Sequence, residues 1–349
     1  MRLCNTTRQQ SGDRVKVDQS LLERIRGIGD SLPETPVVRL RHPHLELFAK
    51  LEFCNPGGSS KDRSAYWILR RAVERGDVRE GTAVAESSSG NFALSMASFC
   101  RLLGLTFIPV IDPNVNAATE RQLRLLCDRV EKVTAADATG GYLKARLARI
   151  QELRADLPPL YWPNQYANTD AVYAHEHATG AELCRALPAL DYVFVGVSTA
   201  GTIAGLSTRV KQEFPGARVV AVDSEGSAIF GSPSRPRRIP GLGSSLVPPL
   251  LSKALIDDVV IVPEAEAAEG CRRLLSRHGI FAGGSTGSVY AAISRYFTGR
   301  ETAGRPAVAF LCADRGGAYS DTLYDPAWVH HVLNVDSALP PVGTEVTAG

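Results

Sequence analysis

The sequence predicts an α/β protein of two domains, each a mostly parallel, twisted sheet flanked by helices. Three observations carry this. Strand-length apolar runs alternate with helix-length amphipathic runs along most of the 349 residues. Several runs, such as Val193-Phe194-Val195-Gly196-Val197, are apolar at successive positions, as in strands covered on both faces. The alternation falls into two blocks that meet at the proline-rich joint Leu157-Pro158-Pro159.

Residues 1–30 are polar and read as irregular or helical, with 21–25 a short amphipathic piece, and 35–40 reads as a turn plus strand. In the first block, strands are expected at 45–51, 82–85, 106–111 and 130–133, and helices at 65–75, 91–103, 117–126 and 141–153. In the second, strands are expected at 192–196, 218–223, 259–262 and 307–311, and helices at 171–186, 202–214, 264–278 and 286–296. We assign 46–156 to a smaller N-terminal domain, 1–45 together with 157–330 to a larger one, and 331–349 to a C-terminal tail. From Leu339 that tail has the composition of a disordered segment.

Composition narrows the function classes. Hydrophobic residues are 44% and charged residues 22% of the chain, and the formal net charge is +2. No electrostatic case exists for a nucleic-acid or anionic-membrane surface. The apolar runs are too short to cross a bilayer, and Met1-Arg2-Leu3-Cys4-Asn5 has no apolar signal core. The seven cysteines, at 4, 54, 100, 127, 184, 271 and 312, are odd in number and never spaced C-x-x-C. That argues against a disulfide framework or a zinc site, and a cytoplasmic location is expected. The histidine pairs 42/44, 175/177 and 330/331 lack a carboxylate or cysteine at metal-ligand spacing, so no metal site is expected.

Four loops stand at strand-to-helix junctions, where open α/β sheets bind ligands. The first, Asn55-Pro56-Gly57-Gly58-Ser59-Ser60-Lys61-Asp62-Arg63, ends in a helix that Ser59 or Ser60 can cap. The positive end of that helix disfavours a cation at Lys61, and partial burial would lower its pKa further. A neutral amine is what a Schiff-base nucleophile needs, although a lysine after a turn is, taken alone, an ordinary surface residue. The second loop, Glu86-Ser87-Ser88-Ser89-Gly90-Asn91, offers hydroxyls and backbone amides to a carboxylate or phosphate, or is a plain helix cap. The third, Gly196 to Thr202, combines glycines with the hydroxyls of Ser198, Thr199 and Thr202 in a phosphate cup. It has neither a G-x-G-x-x-G nor a Walker pattern. The fourth, 282–288, opens a helix and carries Ser285.

In this order the four loops resemble those of fold-type II pyridoxal-phosphate (PLP) enzymes, the tryptophan synthase β-like fold, and within them the cysteine synthase/cystathionine β-synthase group. The family's Asn-Pro-x-x-Ser-x-Lys-Asp-Arg lies at Asn55 to Arg63, and its Thr-Ser-Gly-Asn loop is similar to Ser88-Ser89-Gly90-Asn91. The likeness spans 35–322 and includes His175-x-x-x-Thr179-Gly180-x-Glu182. It implies that PLP is held by Lys61, with Asn91 at its phenolic oxygen. Ser198, Thr199, Ala200, Gly201 and Thr202 would take its phosphate, and Ser285 its ring nitrogen. Lys61 would also act as the general base, with the amino-acid carboxylate on Ser87, Ser88, Ser89 and Gly90. A hydroxyl at the ring nitrogen suits β-elimination and replacement better than transamination.

Departures bear on the substrate. Phe92 stands where threonine is usual, Ala200 where glycine is usual, and Asp314-Arg315-Gly316 where Asp-Ser-Gly is usual. Together with Ile239-Pro240-Gly241-Leu242-Gly243-Ser244-Ser245, the loops resemble the siderophore-pathway branch of the family. That branch joins O-phospho-L-serine to L-glutamate, giving N-(2-amino-2-carboxyethyl)-L-glutamate and phosphate on the way to 2,3-diaminopropionate. The resemblance implies a homodimer acting on those two amino acids. Two anionic substrates call for basic groups in the cleft, for which Arg237, Arg238 and Arg315 are candidates, and Tyr166 is a candidate lining residue. A solvated basic run and a core tyrosine are the competing readings. A cysteine synthase, a cystathionine β-synthase or a non-catalytic ligand sensor are the alternatives for the whole chain.

Overall fold

The computed structural model describes residues 18–136, 141–302 and 304–335. Residues 1–17, with Cys4, and the tail expected from Leu339 lie outside the described residues. The strands are β1 (Val37–Leu40), β2 (Glu46–Leu51), β3 (Ala83–Ser87), β4 (Phe107–Ile111), β5 (Glu131–Lys132), β6 (Leu160–Tyr161), β7 (Tyr192–Gly196), β8 (Arg218–Ser224), β9 (Asp258–Val262) and β10 (Ala307–Cys312). The helices are α1 (Gln19–Asp30), α2 (Lys61–Arg75), α3 (Asn91–Leu103), α4 (Ala117–Leu126), α5 (Leu143–Asp156), α6 (Asp170–Ala174), α7 (Ala181–Ala186), α8 (Gly201–Glu213), α9 (Glu264–His278), α10 (Gly284–Phe297) and α11 (Pro326–Leu333).

Two sheets form. The larger runs β1-β2-β10-β7-β8-β9 and the smaller β5-β4-β3-β6. All pairings are parallel except β1 with β2. Alternation along the strands divides the large sheet's core. Phe194, Val220, Val222 and Phe310 face the α10 side with Val289 and Ile293. Val193, Val195, Val219, Ala221 and Leu311 join an apolar cluster that includes Ile68 and Leu69 of α2, Met96 of α3, and Val84 and Phe107 of the smaller sheet. One core therefore reaches from sheet to sheet through α2 and α3.

Several elements differ from the sequence reading. The strand at 46–51, assigned above to the smaller domain, pairs with β10 in the large sheet. Conversely β6, beyond the proline joint, pairs with β3 in the small sheet. Periodicity marks a strand but not its neighbour, so neither placement is visible locally. The helix expected at 171–186 is interrupted by a π-helical turn over His175–Gly180. The expected tail from 331 begins inside α11, whose Val329 packs with Ala267 and Cys271 of α9.

A buried cluster of four charges fixes the start of α2. Lys50 on β2 and Glu52 just after it are fully buried, and Arg63 and Glu182 nearly so. Lys50 donates to Glu182 Oε2 at 2.5 Å, and Arg63 donates to the same oxygen at 2.8 Å. Arg63 also donates to Glu52 at 3.5 Å, and Asn55 does so at 3.1 Å. The Thr35 hydroxyl donates to Glu52 at 2.7 Å. Two positive and two negative groups thus balance out of water, with further hydrogen bonds from Thr35 and Asn55. The arrangement predicts that Glu52→Ala, which leaves two buried cations on one carboxylate, destabilises the fold by roughly 3–5 kcal/mol. Denaturant unfolding measures this, and a loss below about 1 kcal/mol contradicts it.

Candidate active site

The C-terminal ends of β3, β7 and β10 open on a cleft of about 630 Å³. Lys61, Asn91, Ser198, Thr199, Ala200, Thr202 and Ser285 line it, as do Ser87, Ser88, Ser89, Gly90, Tyr166 and Arg238. Gly201 is buried behind this lining as the first residue of α8.

Lys61 is the first residue of α2. The N-cap position is Ser60, which makes no side-chain cap hydrogen bond, and the Lys61 backbone N–H donates to Ser59 Oγ at 3.3 Å. Burial lowers the pKa of its amine, and the negative charge of Asp314 opposes that shift. The two residues that follow are fixed. Asp62 accepts from Gly57 N–H at 2.6 Å and from the Ser95 hydroxyl at 2.5 Å, while Arg63 belongs to the charge cluster. Lys61 alone of the three faces the cleft.

The segment between β7 and α8 has the shape of an anion cup. Ala200 adopts a left-handed conformation (φ +67°) just before α8. This conformation carries a steric cost for any residue with a Cβ. Ser198 Oγ donates to the Gly243 carbonyl at 3.1 Å, and Gly243 N–H donates to Val197 O at 2.8 Å, so the 241–245 loop closes one side. Thr202 Oγ1 lies 3.2 Å from His175 Nε2, whose Nδ1 lies 3.0 Å from Thr179 Oγ1. Burial pushes the His175 pKa down to about 3, so the ring is neutral and one threonine donates to it while the other accepts. A Cβ at Gly205 would collide with the Val172 carbonyl oxygen, and this close approach brings α8 against the π-helical turn.

The loop from β3 to α3 rests on a buried carboxyl. Glu86 is fully buried and accepts from Ser87 N–H at 2.8 Å, Trp162 Nε1 at 3.2 Å and Gln165 N–H at 3.2 Å. Burial raises its pKa to about 7 despite these donors. Ser87 Oγ is buried with no hydrogen-bond partner. The Ser89 hydroxyl donates to Asp112 at 3.1 Å, and Arg146 of α5 pairs with Asp112 at 3.2 Å and reaches Ser89 Oγ at 3.1 Å. Asn91 donates its side-chain amide to Asp314 at 2.8 Å.

The structure brings the four loops together and corrects the basic candidates. Arg315 leaves the cleft: it donates to the Phe53 carbonyl at 3.3 Å and lies over the Phe53 ring. Arg238 is exposed at the mouth. Arg237 lines the cleft and donates to Gly226 O at 2.6 Å. Arg146 and Asp314 are among the cleft residues that the sequence reading does not single out. Arg146 sits on a helix with no motif to mark it. Asp314 follows β10, a strand end of the kind that marked the other loops, so its position was the available signal.

Two outcomes test this geometry. Ala200→Gly relieves the left-handed strain and is expected to leave stability unchanged or to raise it by up to ~1 kcal/mol. A clear loss in denaturant unfolding contradicts the strain. Because the folded pKa of Glu86 is raised from its ordinary 4.5, its protonated form contributes stability that is complete below about pH 4.5 and lost as pH rises through about 7. Glu86→Gln is therefore expected to flatten the fall in Tm between about pH 5 and 8, and an unchanged slope overturns this.

Comparison with known proteins agrees with this geometry. Residues 28–313 match the family described as pyridoxal-phosphate dependent enzyme. The chain is 44% identical over 314 residues to an N-(2-amino-2-carboxyethyl)-L-glutamate synthase of Ralstonia nicotianae, covering 88% of this chain and 92% of that one. A protein of the same name from Cupriavidus metallidurans is 41% identical over 333 residues, covering 92% of this chain and 97% of the relative. Among solved structures, the O-acetylserine dependent cystathionine beta-synthase of Helicobacter pylori superposes with a TM-score of 0.77 at 25% identity, over 84% of this chain and 97% of that one. An O-ureido-L-serine synthase gives 0.77 at 27% identity, over 86% and 98%. By the match over residues 28–313 and the two relatives above 40% identity, the chain belongs to the pyridoxal-phosphate dependent enzyme family.

Proposed function

We propose that the protein catalyses a PLP-dependent β-replacement joining O-phospho-L-serine to L-glutamate, with N-(2-amino-2-carboxyethyl)-L-glutamate and phosphate as products. The observation that carries the substrate choice is 44% and 41% identity, across most of both chains, to two relatives that bear that product's name. The sequence resemblance supports the further reading of a cytoplasmic homodimer serving 2,3-diaminopropionate and siderophore synthesis.

The residues fit the cofactor. The Lys61 amine faces the cleft, the helix α8 presents its positive end behind a strained Ala200, and the Ser87 hydroxyl is buried without a partner. We assign Lys61 to hold PLP and the 198–202 segment to take its phosphate. Ser285, in the first turn of α10, is assigned to the ring nitrogen and Asn91 to the phenolic oxygen. When bound, the cofactor supplies an electron sink that makes the substrate α-proton removable and the β-substituent a leaving group.

The protein's own groups do the rest. The β3–α3 loop seats the substrate carboxylate on backbone N–H groups and the Ser87–Ser89 hydroxyls. Lys61, held towards the neutral amine by burial, takes the α-proton. Arg146 and Arg237 put positive charge in the cleft for the leaving phosphate and the second amino acid's carboxylates. Arg146 is close to Tyr166, whose phenol pKa burial raises and this guanidinium opposes, so the phenol stays protonated as a donor.

The test incubates purified protein with O-phospho-L-serine and one of L-glutamate, sulfide or homocysteine, and measures phosphate and the new amino acid. Product with glutamate is expected, and product with a sulfur nucleophile only refutes the assignment. Lys61→Ala is expected to lower turnover by at least about 10²–10⁴-fold, the range of a lost general acid–base group.

A further inference from the structure

Asp314 has a role that the cofactor-binding residues leave unassigned. It lies just beyond β10, is only 5% exposed, and lines the cleft with Lys61 and Asn91. Its Oδ2 accepts the Asn91 amide at 2.8 Å and the Tyr319 hydroxyl at 2.9 Å. Its Oδ1 is buried with no hydrogen-bond partner among the described residues. The surrounding backbone is held on both sides. Gly283 N–H donates to Asp314 O at 3.0 Å, and Ser60 N–H donates to Ala313 O at 2.8 Å. Ser59 and Asp314 form a bridge, so the loop that carries Lys61 is built onto the loop that carries Asp314.

Two consequences follow from this placement. A carboxylate only accepts hydrogen bonds, so the group Asn91 turns towards it must be its NH₂. That settles the amide flip and leaves one N–H and the carbonyl oxygen for a ligand. The second consequence is electrostatic. Lys61 and Asp314 both line the cleft, where the carboxylate charge favours the protonated amine and the ammonium charge favours the ionised carboxyl. The other titratable groups facing Asp314 are Tyr319, Tyr324, Cys271 and Cys312, all neutral when protonated. Lys61 is therefore its cationic neighbour.

We propose that Asp314 is a positioning residue of this site, fixing the flip of the Asn91 amide and serving as the counter-charge of the Lys61 nitrogen. The proposal rests on the cofactor assignments of Lys61 and Asn91 made above and is independent of which substrates are used.

The test is a pH titration of the cofactor's visible absorbance in the Asp314→Asn holoenzyme beside the wild type, with the acid limb of kcat/KM as a second readout. Folding is checked by circular dichroism. Asparagine keeps an acceptor for Asn91 but removes the anion that stabilises the protonated lysine nitrogen. Both midpoints are expected to fall by about one pH unit, a tenfold loss of proton affinity. Should Asp314→Asn not fold, Tyr319→Phe withdraws one donor from Oδ2, which makes the carboxyl easier to protonate and shifts the midpoints the same way by less. Midpoints that stay at the wild-type values in the variant that folds overturn the proposal. Absence of product from the proposed substrates would not move the absorbance titration, so the two readings fail separately.

Discussion

The buried charge cluster is the constraint on which the cleft depends. Lys50, Glu52, Arg63 and Glu182 come from the end of β2, the turn after it, the first turn of α2 and the helix α7. Burying four charges is tolerable only when each finds its partners at the right distance. That demand sets where α2 begins relative to β2, and so where Lys61 stands. Asp62 and Arg63, which follow Lys61, are buried and committed to other partners, and Lys61 faces the cleft. The cluster holds orientation more than it adds net stability, which is the role best attested for buried ion pairs.

The second constraint is the approach of α8 to the helical segment 170–186. Gly205 permits the contact, and the widened turn at His175–Gly180 meets it. His175 then ties Thr202 to Thr179, and Glu182, two residues past the turn, reaches the charge cluster. A single segment thereby connects the anion cup to the loop of Lys61. π-helical turns often sit at functional positions, and here the turn links two of the loops that line the cleft.

Burial in the cleft favours the uncharged form of its titratable groups, and nearby charges oppose it. Burial lowers the pKa of Lys61 and His175 and raises that of Glu86, Asp314 and Tyr166. Fixed positive charge comes instead from arginines, which burial does not neutralise.

The sequence by itself determined the α/β class, most of the strands and helices, and the four junction loops. These are local matters: apolar period, turn residues, and hydroxyls and glycines at strand-to-helix corners. Only the tertiary structure decided which sheet β2 and β6 join, because strand pairing is made by residues far apart in the chain. It alone sent Arg315 to Phe53 and brought Arg146 into the cleft, since a charged side chain carries no sign of which way its element faces. It alone gave meaning to His175, Thr179 and Glu182, a spacing visible in the chain whose partners, Thr202 and Lys50, lie elsewhere. Asp314 is the sharpest instance. Its position after a strand was legible, but its hold on Asn91 across 223 residues of chain exists only once both sheets are assembled around α2 and α3.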